Sequence, residues 1–318
     1  MGVLSETVKM FTLGRRTFLG GCAFAPALAA PSQTSPGAES KKEVLARAVG
    51  RRLQGFQGEV FLYAKNLDTG AEFGLKPDEK VRTASTIKLP ILCALYDLAA
   101  QGKLQWDEKL TLREEDIVSG SGVLQEFSPG TALSLRDVAR MMIVVSDNTA
   151  TNMILERISA DAVNEYLERV GMKATRSLRM VRGDGTQLKP ARGYSKAGLI
   201  EENKRFGLGV STPREMVWLL EQLTAGKIVS AEASREILAM LKRQQFKDGI
   251  GRRRADDVAS KSGALDALRS DVGIVYQPHA RVAIAATVDG MPKVDYSPDN
   301  VGNILIADLT DILLAGLA

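Results

Sequence analysis

The chain has 318 residues, of which 45% are hydrophobic and 25% charged, with a formal net charge of +4. That is enough sequence for one large domain or two lobes around a substantial core. So small a charge excess, with no long Lys/Arg block apart from "GRRRADD", where acids follow at once, argues against nucleic acid as a partner.

In chain order, "TLGRRTFLGGCAFAPALAAPS" reads as a charged segment, a weakly apolar core and a small-residue cleavage site near Ala27-Leu28-Ala29. Residues 1–29 are therefore expected to be an export signal. Arg15-Arg16 followed by Thr17, Phe18 and Leu19 resembles the twin-arginine type, which implies export to the periplasm or beyond in a folded state. "LGGC" at Cys22 resembles a lipoprotein box, but too little apolar sequence separates it from Arg16 to favour anchoring there. Residues 30–40 are expected to form a flexible lead, and residues 41–318 the catalytic domain, with no stable membrane insertion once the signal is removed. Signal removal leaves Cys93 as the one cysteine, so no internal disulfide forms; within its apolar run Cys93 reads as a small core residue.

"KKEVLARAVGRRLQG" has the spacing of an amphipathic helix closed by Gly55, and "EVFLYAKNLDTGAEFGLK" reads as two strands around an Asp68-Thr69-Gly70 turn. A helical middle follows, including "STIKLPILCALYDLAAQG", "SLRDVARMMIVVS", "NTATNMILERI", "DAVNEYLERVG" and "TPREMVWLLEQLTAG". The chain then returns to strands in "VASKSGAL", "SDVGIVYQ" and "VAIAATVDG", and ends in a helix, "NILIADLTDILLAGL". The expected fold is α/β: an antiparallel sheet made from both ends of the chain (about 41–82 and 256–318) with a helical lobe (about 83–255) inserted between them. The stretch "RMVRGDGTQLKPARGYSKAGLIEENKRFGLGVS" lacks periodicity and is too long for an ordinary connector.

The one histidine, His279, falls where a hairpin turn is expected, so a His/Cys zinc site is out of reach and a histidine-based nucleophile would have to recruit it. Lysine is the remaining base. Ser85 and Lys88, three apart at a helix start, share a face and bring hydroxyl and amine within reach of each other. Burial among Ile87, Leu89, Ile91 and Leu92, together with a second cation, would lower the lysine's pKa. Pro90 breaks the usual rule for a helix interior. Two further motifs follow in order. Ser146-Asp147-Asn148 joins two helical segments and is otherwise a natural helix cap; Lys261-Ser262-Gly263 lies on a strand and is otherwise an edge lysine beside a bulge.

In that order the three motifs resemble the class A β-lactamase and penicillin-recognising serine hydrolase family, whose signature is S-x-x-K, S-D-N and K-T-G. Ser262 in place of threonine keeps the hydroxyl, and the resemblance spans nearly the whole chain beyond the signal. It implies a small-molecule β-lactam or cell-wall peptide as substrate, a monomer, and no metal or organic cofactor. It also implies Ser85 as nucleophile, Lys88 as proton acceptor and Ser146 as relay hydroxyl, with Asn148 on the substrate amide. Lys261 and Ser262 would bind the substrate carboxylate, and the N–H groups of Ser85 and Ala264 would form the oxyanion hole. Arg269 would add a further carboxylate contact; the alternative is an exposed strand arginine.

The family's hydrolytic members carry a water-activating glutamate in the loop after the Ser-Asp-Asn helix. Counted forward, its position falls at or near Val181; counted backward from "STP", near Lys196. Glu201 and Glu202, with Asn203, are the carboxylates available in that loop, at a spacing that does not match. The expected activity is β-lactam opening through an acyl-Ser85 intermediate with slow release. The alternatives are a D-alanyl-D-alanine peptidase, an esterase, or a sensor that is acylated and stalls.

Overall fold

The computed structural model describes residues 40–182, 193–254 and 257–318. The expected signal, residues 1–29, and all but Ser40 of the lead lie outside these.

Alternating and continuous apolar runs at both ends of the chain pair into one five-stranded antiparallel sheet. Its strands are β1 (Glu59–Asn66), β2 (Glu72–Leu75), β8 (Val258–Leu265), β9 (Leu268–Gln277) and β10 (Ala280–Asp289), in the order β2-β1-β10-β9-β8. The turn between β1 and β2 is held by Asn66 Oδ1, which accepts the N–H groups of Asp68 (2.9 Å) and Thr69 (3.1 Å), and by Gly70 at a φ of 79°. His279 sits exposed in the β9–β10 hairpin, where Ala280 pairs with Gln277.

The central strands are apolar on both faces because both faces are covered. On one side α1 (Lys41–Leu53) and α9 (Val301–Leu317) pack on Leu62, Val275, Val282 and Ile284. The first turn of α1 is closed by a reciprocal Ser40–Glu43 capping box. On the other side Tyr63, Val272, Ile274 and Ala285 join a larger core with the inserted helices. These are α2 (Lys88–Ala100), α3 (Leu135–Val144), α4 (Asn148–Ile158), α5 (Ala160–Arg169), the single turn α6 (Glu201–Lys204), α7 (Pro213–Thr224) and α8 (Ala231–Lys242). The α/β architecture expected from the two ends of the sequence is the one observed.

Helix α2 runs through the middle of this layer. Every residue from Lys88 to Tyr96 is buried, as expected for a helix apolar on all sides. The expected irregularity at Pro90 disappears: a 3-10 turn, Ala84–Ile87, precedes α2, so Pro90 is the third residue of the helix. In a first turn the backbone N–H has no intrahelical acceptor to lose. Two small sheets were not foreseen, β3 (Val81–Arg82) with β7 (Gly209–Ser211) and β6 (Arg176–Ser177), and β4 (Lys109–Thr111) with β5 (Ala132–Ser134). Among the described residues no helix is long and apolar enough to cross a membrane.

Candidate active site

Three elements converge at the edge of the sheet. The first is the 3-10 turn carrying Ser85, which is half-buried. Ala84, immediately before it, has a φ of 47°, a left-handed conformation that a side chain adopts only when the surroundings impose it. The surroundings here are β8: a Cβ on Gly263 would lie 2.8 Å from Ser85 N, 2.9 Å from Thr83 O and 3.0 Å from Ala84 Cβ. Only glycine lets the strand approach so closely. β8 is the outermost strand, so its free side is not covered by a neighbouring strand, and at Gly263 it packs against the serine turn.

The second element is the corner between α3 and α4. Asp147 caps α4 by accepting the Ala150 N–H at 2.8 Å, while its other oxygen accepts the N–H groups of Val123 (2.7 Å) and Leu124 (2.9 Å). A Cβ on Gly122 would come within 2.3 Å of that carboxylate, so the loop closes over it only with glycine there. Ser146 is held at a φ of 53°. Its carbonyl and hydroxyl both turn toward Lys88 as a result: Lys88 Nζ donates to Ser146 O at 2.6 Å, to Asn148 Oδ1 at 2.9 Å and to Ser146 Oγ at 3.3 Å. Asn148 also donates through Nδ2 to Ser119 O at 3.2 Å.

The third element is β8 itself. Lys261 Nζ donates to Ser262 O at 2.8 Å, to Ser146 Oγ at 2.9 Å and to Gln244 Oε1 at 3.4 Å. Ser146 Oγ thus bridges two amines, and both lysines are 0% exposed. Burial drives the Lys88 amine well below its ordinary range, with the Lys261 charge adding to the effect and Asp147 opposing it. Burial also brings Lys261 down to about 7, against an opposing pull from Asp271. Asp271, on β9 opposite Ser262, is itself fully enclosed and pushed up to about 6 by burial.

The structure therefore gathers Ser85, Lys88, Ser146, Asn148 and Lys261 around one edge, with Ser262 joined through its carbonyl and Ala264 following two residues on along β8. No hydrogen bond joins Ser85 Oγ to Lys88 Nζ, as their spacing suggested, because the amine is turned to the α3–α4 corner.

Two expectations are corrected. Arg269 is neither exposed nor aimed at this cluster. It is 3% exposed, and its guanidinium donates to the backbone carbonyls of Leu265 (2.7 Å), Leu268 (2.6 Å) and Asp295 and stacks on Tyr296. The cause is strand alternation: its neighbours Ser270 and Val272 face the helical side, which places Arg269 on the opposite face. Glu201 and Glu202 lie exposed on α6, Glu201 paired with Lys204, and neither bonds to a site residue among the described residues. Of the two counts along the loop, the forward one has a structural counterpart. Asn152, one helical turn after Asn148, donates to Val181 O at 2.9 Å and accepts from Val181 N at 2.8 Å. That bracket sets a half-buried aliphatic side chain at the expected glutamate position. Lys196 instead donates its N–H to Asp161.

Gln244, Asp271 and Asn152 were not found from the sequence. A carboxylate inside the apolar strand "SDVGIVY" and an asparagine four residues after Asn148 were available signals; a glutamine after α8 was none.

A family model described as "Beta-lactamase enzyme family" matches residues 43–317. The chain is 25% identical over 268 residues to Beta-lactamase 3 of Bacillus cereus, covering 82% of this chain and 78% of that one. The crystal structure of a β-lactamase from Sphaerobacter thermophilus is similar at 28% identity and a TM-score of 0.72, over 86% of this chain and 96% of that one. A PBP-A variant in an acyl-enzyme complex with penicillin G matches at 25% identity and a TM-score of 0.71, over 86% and 95% of the two chains. A motif order, a site geometry and a match along nearly the whole domain agree: the chain belongs to the beta-lactamase enzyme family.

Proposed function

We propose that the protein opens β-lactam rings by forming an ester on Ser85 and releases that ester slowly. The observation that carries the first half is the buried chain Lys88–Ser146–Lys261 beside a half-buried serine. A neutral lysine keeps two N–H groups, which matches the two short bonds of Lys88 to Ser146 O and Asn148 Oδ1 and leaves a lone pair for the serine proton. Ser85 Oγ attacks the lactam carbonyl as Lys88 takes its proton. The C–N bond breaks, and the ring nitrogen is protonated by Ser146, whose hydroxyl is resupplied from the Lys88 side. The N–H groups of Ser85 and Ala264 hold the oxyanion, at about 3 kcal/mol per donor. Asn148 takes the substrate's side-chain amide, and Ser262, beside the Lys261 charge, takes its carboxylate. Arg269 has no part in this reading.

Slow release is inferred from Val181. A water attacking the ester needs a base, and the side chain at the loop position bracketed by Asn152 is aliphatic. The same feature favours a second reading, an acylated sensor or a peptidase whose natural acyl group leaves by another route. The twin-arginine segment supports a periplasmic or secreted site of action.

Intact-protein mass spectrometry of residues 30–318 after mixing with penicillin G tests both halves. An adduct that depends on Ser85 and decays over minutes to hours with ring-opened product supports the slow hydrolase. An adduct that never decays supports the sensor or peptidase. Absence of any adduct overturns the reading.

A further inference from the structure

Lys261 is buried without a carboxylate in hydrogen-bond contact. As an ammonium it has three N–H groups, and the structure supplies three acceptors, all neutral: Ser262 O, Ser146 Oγ and Gln244 Oε1. The first two belong to the site. The third comes from the segment after α8, which sequence reading passed over.

Gln244 is 1% exposed and its amide has one orientation that fits. Nε2 donates to Ser260 O at 3.1 Å, so Oε1 is left facing the lysine; turned over, the NH2 group would meet an ammonium and the oxygen a carbonyl. The next residue, Gln245, donates its N–H to Val144 O at 2.9 Å, two residues before Ser146. The Gln244-Gln245 pair therefore grips both partners of the Lys261–Ser146 hydrogen bond, β8 through one residue and the α3–α4 corner through the other.

We infer that Gln244 is a positioning residue for Lys261: a neutral third acceptor that aims the ammonium at Ser146 without cancelling its charge. The inference rests on the acyl-serine reading above for its catalytic meaning, but not for its geometry. Neutrality is the point. A carboxylate there would pair with Lys261, compete with the substrate's carboxylate, and offset the charge that adds to burial in disfavouring the Lys88 ammonium. The charged groups around Lys261 are Lys88 from α2, Asp147 at the corner, and Asp271 from β9 with Asp248 beyond it. The strand backbone separates Asp271 from Lys261: Asp271 lies on the face opposite Val272, and Val272 pairs with Lys261.

The test compares Gln244→Glu and Gln244→Met with the wild type. The Lys261 Cε chemical shift, followed against pH and assigned by its loss in Lys261→Ala, reads the amine without any reaction. In wild type it titrates near neutrality; in Gln244→Glu the midpoint rises by at least about one pH unit, as an adjacent opposite charge requires. In acylation by penicillin G, Gln244→Glu loses about tenfold in rate at neutral pH and its acid limb moves upward, because Lys88 regains its proton more easily. Gln244→Met, which keeps the volume but not the acceptor, lowers the rate without moving that limb upward. An unchanged Lys261 midpoint in Gln244→Glu overturns the inference even if penicillin acylates normally. A shifted midpoint in a protein that penicillin never labels sustains it and overturns the proposed reaction instead.

Discussion

The sheet side and the loop side of the candidate site differ in chemical completeness. On the sheet side, two buried amines, a bridging hydroxyl and a close strand approach at Gly263 bring together the groups that the proposed ester formation at Ser85 would use. On the loop side, Asn152 holds the backbone through both main-chain polar groups of Val181, whose side chain is aliphatic. In the proposed reaction, ester formation and ester release thus fall to different parts of the molecule. Restraint of the backbone is independent of which side chain is restrained: the asparagine holds the loop through main-chain atoms, so a glutamate or a valine is held equally well.

Substitutions at each side sharpen or break this contrast. The largest effect is expected for Ser85→Ala, which removes the adduct entirely while leaving thermal stability within about 0.5 kcal/mol, as for a half-buried hydroxyl with no described partner. A large drop in melting temperature with adduct formation intact would sink the assignment.

Lys88→Met comes next. Acylation falls by about 10²–10⁴-fold, the usual worth of a positioned base. Melting temperature at pH 7 stays level or rises, since the folded protein no longer has to hold an amine away from water. For a buried lysine with a depressed pKa the unfolded chain binds more protons between the folded and unfolded values. Wild-type stability should therefore climb with pH from about 7, where Lys261 titrates, toward 10.5, and Lys261→Met should flatten that climb. Calorimetry across pH 6–10 checks the slope; an unchanged slope in Lys261→Met contradicts the depressed amine.

Val181→Glu addresses the loop side. It leaves acylation within a few-fold and speeds decay of the adduct by about a hundredfold, again the scale of a general base. If decay is unchanged, the loop side lacks more than a carboxylate. The smallest effect is that of Lys261→Ala on selectivity: recognition of penicillin G falls about tenfold more than that of its methyl ester, read from kcat/KM or the acylation rate. Equal losses on acid and ester would remove Lys261 from carboxylate recognition.

The sequence was legible where chemistry is local. Ser85 and Lys88 lie within one turn, Ser146 and Asn148 within one helix entrance, and Lys261 and Ser262 on one strand, so each pair was readable from spacing and flanking polarity. The strands of both termini announced the sheet through apolar runs bounded by turn residues. Arg269 and the loop glutamates failed for a common reason: their identity was clear but their direction was not. Whether an arginine on β9 faces the candidate site depends on strand parity and on carbonyls as far along the chain as Asp295. Whether a loop carboxylate reaches the site depends on the path of a segment without periodicity.

Residue types and local spacing pointed to the proposed nucleophile, the two amines and the α/β layout, because hydrophobic period and motif order act over a few residues. Tertiary structure decided which of these groups meet and in what charge state. Burial of Lys88 and Lys261, the positive φ at Ala84 and Ser146, and the neutral acceptor at Gln244 arise where elements distant in the chain exclude water from a common space. An amine's proton affinity is a property of that space, and no stretch of sequence contains it.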